Sequence, residues 1–296
     1  MTNITRRHFL QSSAAAMGAL TGVHVFAQEQ NAKRSATDWV TLNKSGVKVT
    51  RLGMGTGTNG GSVQRTLGQE KFTALVRHAY DRGVRFFDTA DNYQIHDMVA
   101  KALEGIDRET YAIQTKMNFH REPDAWKNID RFRKELKTDY FDSFLLHCAT
   151  SQNWTDELKR QMDTLHEAKD KGAIRSHGAS VHGLLALDDM TTSNWMDVSL
   201  LRVNHNGTKM DNWEDDWNKK GDVEHVIKNI RKIHDSGSGV IGMKIVGNGD
   251  FTSFEERDKS VQFVMGLDCV DAIIVGFKSP EEIDEMIELM DKHLNS

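Results

Sequence analysis

Eight short apolar runs, separated by stretches of helical period, constrain the fold of this 296-residue chain more than any single motif does. The runs fall at 51–54, 84–87, 111–115, 141–146, 173–178, 197–203, 239–245 and 271–275. Between them apolar residues recur every three or four positions. Trp126, Ile129, Phe132 and Leu136 form one stripe, and Leu158, Met162, Leu165 and Ala168 form another. Ile283, Met286, Ile287, Met290 and Leu294 form the last. Eight strands alternating with helices over roughly 255 residues predict a closed (β/α)8 TIM barrel. Trp39 to Thr50, with Ser45-Gly46 at its turn, predicts an N-terminal β-hairpin that closes the barrel bottom. The competing architecture is an open doubly wound sheet with a Gly-x-Gly-x-x-Gly turn after its first strand. Residues Gly53 to Gly61 are glycine-rich, but no amphipathic helix is expected at the distance that turn requires.

The chain divides into three parts. Residues 1–27 read as a leader: Arg6 and Arg7 precede a small-residue apolar stretch that ends at Val25-Phe26-Ala27, a cleavable site. Thr5-Arg6-Arg7-His8-Phe9-Leu10 resembles a twin-arginine export signal, which implies a passenger exported already folded and the export machinery as a partner. Residues 28–37 are expected to be a polar, disordered leader and 38–296 the barrel. No run in the mature part reaches 18 apolar residues, so no stable membrane span is expected and the product is expected to be soluble and periplasmic or otherwise exported. Removal of Arg6 and Arg7 takes the formal charge from −5 to −7, which disfavours nucleic acid as a partner. Two cysteines are too few for a disulfide scaffold.

Candidate chemistry sits at the ends of three successive runs. Asp88 ends one, and Tyr93 follows five residues later. Lys116 follows the next, and His147 the one after. Each has a mundane role open to it, as a helix cap, a packed ring, a solvated cation or a core histidine. Together they fall at the C-terminal strand ends, where barrel active sites are built. The four groups suit proton delivery to a carbonyl oxygen. A tyrosine has an ordinary pKa near 10, and an adjacent ammonium is expected to favour its phenolate. An aspartate anchors the ammonium, and an imidazole orients the substrate oxygen. None of them donates a hydride, so a reductase built this way needs a nicotinamide.

The chain resembles the aldo-keto reductase family across nearly all of 38–296. Asp88-Thr89-Ala90-x-x-Tyr93, Thr115-Lys116 and Leu145-Leu146-His147 match that family's tetrad motifs, in order. Leu52-Gly53-Met54-Gly55-Thr56 matches its first barrel strand and Gly242-Met243-Lys244 its seventh. The resemblance implies an NAD(P)-dependent oxidoreductase acting on an aldehyde, ketone or sugar carbonyl. Tyr93 would be the general acid/base, tuned by Lys116 and Asp88, with His147 positioning the carbonyl. Thr56 and Asp88 would lie near the nicotinamide and its ribose. Lys244, Gly276, Lys278 and Ser279 would serve the phosphates, since Gly276 to Glu282 fits a loop entering a helix N-terminus. Ser279 is also a plausible cap for that helix. NADP is the family's usual cofactor. Glu282 and Met286 stand where an arginine and an asparagine often grip its 2′-phosphate, so NAD is allowed.

Other positions depart from the family pattern. Ser180 is the candidate to hold the carboxamide, with His182 beside it, and His205 the candidate to stack on the nicotinamide. Trp213 and Trp217 line a substrate cleft or cover the rim. His177, His182, His205 and Asp211 lack the tight spacing of a metal site, so no metal is expected. Cys148 is expected to point away from His147 if strand alternation continues, and a bridge to Cys269 at the other end of the barrel is not expected. Two other function classes remain: a non-redox sugar isomerase or lyase using Tyr93, Lys116 and His147, and an inactive binding protein. The latter would show an occluded Tyr93 or a cleft blocked by 205–217.

Overall fold

A computed structural model describes residues 33–296, so the expected leader at 1–27 lies outside the described residues. The folded unit that contains the barrel begins at Ser35, three residues ahead of the expected 38. Ala36 is fully buried, and Asp291 accepts hydrogen bonds from Ser35 Oγ (3.0 Å) and the Ala36 N–H (2.7 Å). A tether to the far end of the sequence leaves no local signal.

Trp39–Thr41 (β1) and Lys48–Thr50 (β2) pair antiparallel as the expected hairpin. Its turn ends on Gly46, whose φ of 74° is strained for residues with a Cβ. Eight parallel strands follow: Leu52–Gly55 (β3), Phe86–Asp88 (β4), Ala112–Met117 (β5), Ser143–Ala149 (β6), His177–Val181 (β7), Val198–Arg202 (β8), Gly239–Met243 (β9) and Ala272–Gly276 (β10). They close in sequence order, β10 pairing with both β9 and β3. Phe86, Ala112, Leu145, Val198, Leu200, Ile241, Ala272 and Ile274 fill the interior, and Leu42, Val47 and Val49 of the hairpin region pack into the same cluster. The hairpin thus seals the end where the strands begin and leaves the other end open.

The outer ring comprises Ser62–Asp81 (α1), His96–Leu103 (α2), Ala125–Leu136 (α3), Trp154–Glu157 (α4), Lys159–Asp170 (α5), Leu184–Met190 (α6), Val223–Ser236 (α7), Phe254–Met265 (α8) and Pro280–Leu294 (α9). The expected stripes face inward: Ile129, Phe132 and Leu136 of α3 are buried, as are Met162, Leu165 and Ala168 of α5. Two expectations need correction. The seventh β-element begins at His177, not 173: residues 173–176 run beside Phe141 without forming a continuous ladder. Ile174 forms only an isolated bridge to Phe141, and Arg175 and Ser176 both bond Asp142. A helix does follow the 53–61 glycines directly, as α1. Its first half is largely polar and its helical path breaks at Gly68 (φ 75°), so the apolar stripe is clear only from Phe72 onward.

Candidate active site

Strand register brings the expected residues together at the open mouth. Asp88 lies opposite Gln114, so Lys116, two residues further along β5, extends from the same face. Lys116 Nζ donates to Asp88 Oδ1 (2.6 Å) and to the Thr89 carbonyl (2.7 Å), and Gln114 Nε2 donates to the same carboxylate oxygen (2.8 Å). Lys116 also lies opposite Leu145, a residue of the barrel interior, and His147 follows two positions later on that face. Tyr93 ends the short 3-10 turn Asp91–Tyr93. That turn is held by buried Asp91, which pairs with Arg131 Nη1 (2.9 Å). The Tyr93 ring meets His147 edge-on at 5.6 Å, and Lys116 Nζ lies 5.0 Å from its centroid.

The electrostatics of this cluster are set by burial. Burial raises the Asp88 acid and depresses the Lys116 ammonium, and the contact between them opposes both shifts. Tyr93 is pushed well above the ordinary phenol value by burial of its hydroxyl end, with smaller contributions from Asp88 and Cys148. This reverses the expectation that the ammonium would favour a phenolate: burial of the hydroxyl outweighs the nearby Lys116. His147 is held well below the ordinary imidazole value by burial, then by Lys116 and Lys244, so it is neutral. The mouth therefore presents a phenol O–H beside a neutral imidazole, backed by a compensated ion pair.

A cleft of about 710 Å³ runs from Asp88 and Tyr93 past Lys244 to Lys278, Glu282 and Met286 at the start of α9. Thr56 sits behind it, its N–H and hydroxyl both donating to the Asp88 carbonyl (3.0 and 2.8 Å). Burial, then Arg202, pushes the Lys244 ammonium down to about 8, and its Nζ donates to Asn248 Oδ1 at 2.9 Å. At the far end Glu282 Oε2 accepts the Lys278 N–H (2.8 Å), and Lys278 Nζ lies 3.5 Å from Oε1. Ser279 stands at the N-cap of α9, but its hydroxyl does not cap the helix.

A family model described as "Aldo/keto reductase family" matches residues 51–265, well over half of the chain. The chain belongs to the aldo/keto reductase family. It is 26% identical over 173 residues to aldo-keto reductase YhdN of Bacillus subtilis (strain 168), covering 51% of this chain and 49% of that protein. The chain spans about half or less of the length of the curated relatives it matches. Its fold is similar to a Pseudomonas aeruginosa chain described as a candidate aldo-keto reductase (TM-score 0.71, 20% identity, 88% of this chain and 98% of that one). It is also similar in fold to a Klebsiella pneumoniae aldo-keto reductase solved in complex with NADPH (TM-score 0.62, 17% identity, 85% and 89%).

Other candidate residues of this aldo-keto reductase fall in and out of the cleft. Cys148 does not point away from the mouth. The β6–β7 register shifts between Leu146 and Ala149, and Cys148 takes a left-handed φ of 60°. The bulge turns its sulfur to 3.6 Å from His182 Nε2, where burial pushes the thiol up to about 11. Ser180 Oγ accepts the Cys148 N–H at 3.2 Å. His205 packs on Phe251 at 5.2 Å, and Phe251 lines the cleft. Trp217 lines the cleft with Arg202, Lys209 and Lys244 each about 5 Å from its ring. Trp213 lies against His225 at 4.9 Å, outside the cleft lining. The cleft reaches Tyr93 past the 205–217 segment, so the ring is not occluded.

His177 lies at the opposite end, at the start of β7. It stacks on Trp195 (4.4 Å), its Nε2 meets His166 Nδ1 (3.2 Å), and Asp197 and Lys169 flank it. Burial depresses it from 6.5 to about 4. The unfolded chain binds this proton first, so stability is full above about pH 6.5 and falls as pH drops toward about 4. The limit is roughly 3 kcal/mol. Chemical denaturation at pH 7.5 and 5.0 is expected to show this loss, and His177→Gln to diminish it. A variant with the same acid loss as wild type would remove His177 from the account.

Proposed function

We propose that this aldo-keto reductase is an exported oxidoreductase that reduces an aldehyde, ketone or sugar carbonyl, with Tyr93 as general acid/base and NAD(H) as its preferred cofactor. The supporting observation is the continuous cleft from Tyr93 to the N-terminus of α9. Its donor set fits a dinucleotide: among the described residues buried Lys244 forms no ion pair, its Nζ donating to Asn248 Oδ1, and a helix N-terminus lies at the far end. A bound nicotinamide supplies the hydride that none of these side chains can give. Tyr93 Oη then delivers its proton to the carbonyl oxygen, and neutral His147 donates a hydrogen bond to that oxygen. That transfer leaves Tyr93 as a phenolate beside the neutral Lys116–Asp88 pair. Lys244, Gly276, Lys278 and Ser279 would hold the nucleotide's phosphates, Thr56 and Asp88 would lie near its ribose, and Ser180 would serve the carboxamide.

Glu282 supports NAD over NADP. Its carboxylate already accepts the Lys278 N–H, a donor that a 2′-phosphate would otherwise use, and its charge repels such a phosphate. A free ribose 2′-hydroxyl, by contrast, can donate to a carboxylate. Export is supported by Arg6-Arg7 and the apolar stretch after them, and cofactor loading before export agrees with a route for folded passengers. One measurement addresses all three parts. The full chain, expressed with its leader and recovered from the exported fraction, is denatured and its released nucleotide identified by mass spectrometry. One equivalent of NAD(H) is expected. NADP(H) would overturn the assignment to Glu282, retention of the chain in the cytoplasm would overturn export, and no nucleotide together with no binding on titration would overturn the redox reading.

A further inference from the structure

The Tyr93 ring is framed by the glycine-rich loop between β3 and α1. A Cβ added at Gly57 would lie 2.6 Å from both Tyr93 Cε2 and Tyr93 Oη, and closer still to Cζ. Real side chains do not tolerate such distances, so the phenol stands in space that exists only because residue 57 has no side chain. Gly57 itself does not use the left-handed φ that would make a larger residue strained, so its constraint is one of volume alone. Four residues on, a Cβ at Gly61 would lie 2.7 Å from the Tyr93 carbonyl oxygen and 2.9 Å from Tyr93 Cβ. Exposed Arg65, in the first turn of α1, donates through Nη1 to the Gly60 carbonyl (2.9 Å) and to the Tyr93 carbonyl. His147 meets the same ring edge-on at 5.6 Å.

We infer that Gly57 is a positioning residue for Tyr93, seating the hydroxyl end of the ring against the backbone of the first loop, while Gly61 and Arg65 pin the Tyr93 main chain. The inference deepens the proposed function and rests on it for the catalytic consequence, but not for the geometry. Without the glycine the ring must move off the first loop, displacing its hydroxyl end. A displacement of about 1 Å at a reacting group is enough to cost on the order of 10²-fold in rate. The same loop lines the cleft at Gly55, Gly57, Thr58 and Asn59, so it sets the position of the phenol relative to the adjacent cleft wall.

The test is Gly57→Ala, read by carbonyl-reduction kinetics and by NMR of protein labelled at tyrosine Cζ. The chain has four tyrosines, and Tyr93→Phe assigns the relevant resonance. Gly57→Ala is expected to lower kcat by about 10- to 100-fold, with nucleotide affinity within about threefold. The Tyr93 resonance is expected to move and its titration midpoint to fall toward that of an exposed tyrosine, while Tyr80, Tyr111 and Tyr140 stay in place. Arg65→Gln, at an exposed site, provides a second variant if the alanine fails to fold; it is expected to broaden the same resonance and lower kcat by about threefold. An unmoved Tyr93 resonance with unchanged kcat in Gly57→Ala, or in Arg65→Gln where only that variant folds, would overturn the inference. If Tyr93→Phe keeps its activity but Gly57→Ala moves the resonance, the catalytic reading fails and the positioning role stands.

Discussion

Tyr93→Phe is expected to lower kcat for carbonyl reduction by about 10²- to 10⁴-fold, the range contributed by one positioned proton donor. Nucleotide binding is expected to change little, since the substitution removes one oxygen and keeps the ring that packs on His147 and Gly57. The size of the effect follows from the protonation states around the mouth. His147 is held neutral by burial and by the cations beside it. Lys116 is tied to Asp88 and Thr89. Cys148 has its thiol pushed up to about 11 and is turned toward His182. Of these groups and Tyr93, the phenol is the one with a movable proton facing the cleft, while the Lys244 ammonium is directed to Asn248. Because burial raises Tyr93, the reduction direction is expected to keep its rate through alkaline pH up to at least about 10, while alcohol oxidation, which needs the phenolate, is expected to accelerate as pH rises. Steady-state rates in both directions between pH 6 and 10 check this. A phenylalanine variant retaining more than a tenth of the wild-type kcat would move the donor role to His147 or to solvent.

The barrel was legible because each strand-helix unit carries its own local pattern: an apolar run, then a stripe of period 3.6. The tetrad was legible for a related reason. Asp88, Lys116 and His147 need only the end of a strand to place them, and strand alternation then aims Lys116 and His147 from the same inner face as Asp88. What stayed hidden depends on contacts between distant segments. Cys148 was misdirected because alternation was continued through a bulge that shows only in the β6–β7 register. The sign of the Tyr93 shift was missed because it is set by burial of the hydroxyl, which depends on packing between distant segments that the sequence does not show. Gly57 carried no signal beyond its place in a glycine-rich run, and its constraint is visible only once the Tyr93 ring lies against it. The Asp291 tether to Ser35 and Ala36 joins the two ends of the unit and has no local signature.

The Asp88–Lys116 pair carries the largest expected effect on stability. Lys116 is fully buried, and its ammonium and the Asp88 carboxylate compensate each other at 2.6 Å. Lys116→Met keeps most of the volume but leaves a buried carboxylate with Gln114 Nε2 as its remaining side-chain donor. Such an uncompensated charge costs about 3–5 kcal/mol. Asp88→Asn leaves the ammonium with the Thr89 carbonyl and is expected to cost a similar amount. The double variant Asp88→Asn/Lys116→Met is neutral at both positions and is expected to return to within about 1 kcal/mol of wild type, since replacing a whole buried pair is often nearly neutral. Denaturation of all four proteins therefore yields a coupling energy of roughly 5 kcal/mol or more. The pH dependence fixes its origin. In Lys116→Met the folded state holds Asp88 protonated more readily than the unfolded chain does, so the variant's deficit relative to wild type shrinks as pH falls and grows as pH rises through the raised Asp88 value. Reductase activity should not follow stability back. The double variant lacks the charges that hold the electrostatic field around Tyr93 and is expected to stay at least about tenfold below wild type in kcat. Recovery of both stability and rate would mean that the pair serves packing alone, and that Tyr93 and His147 suffice for the proton transfer.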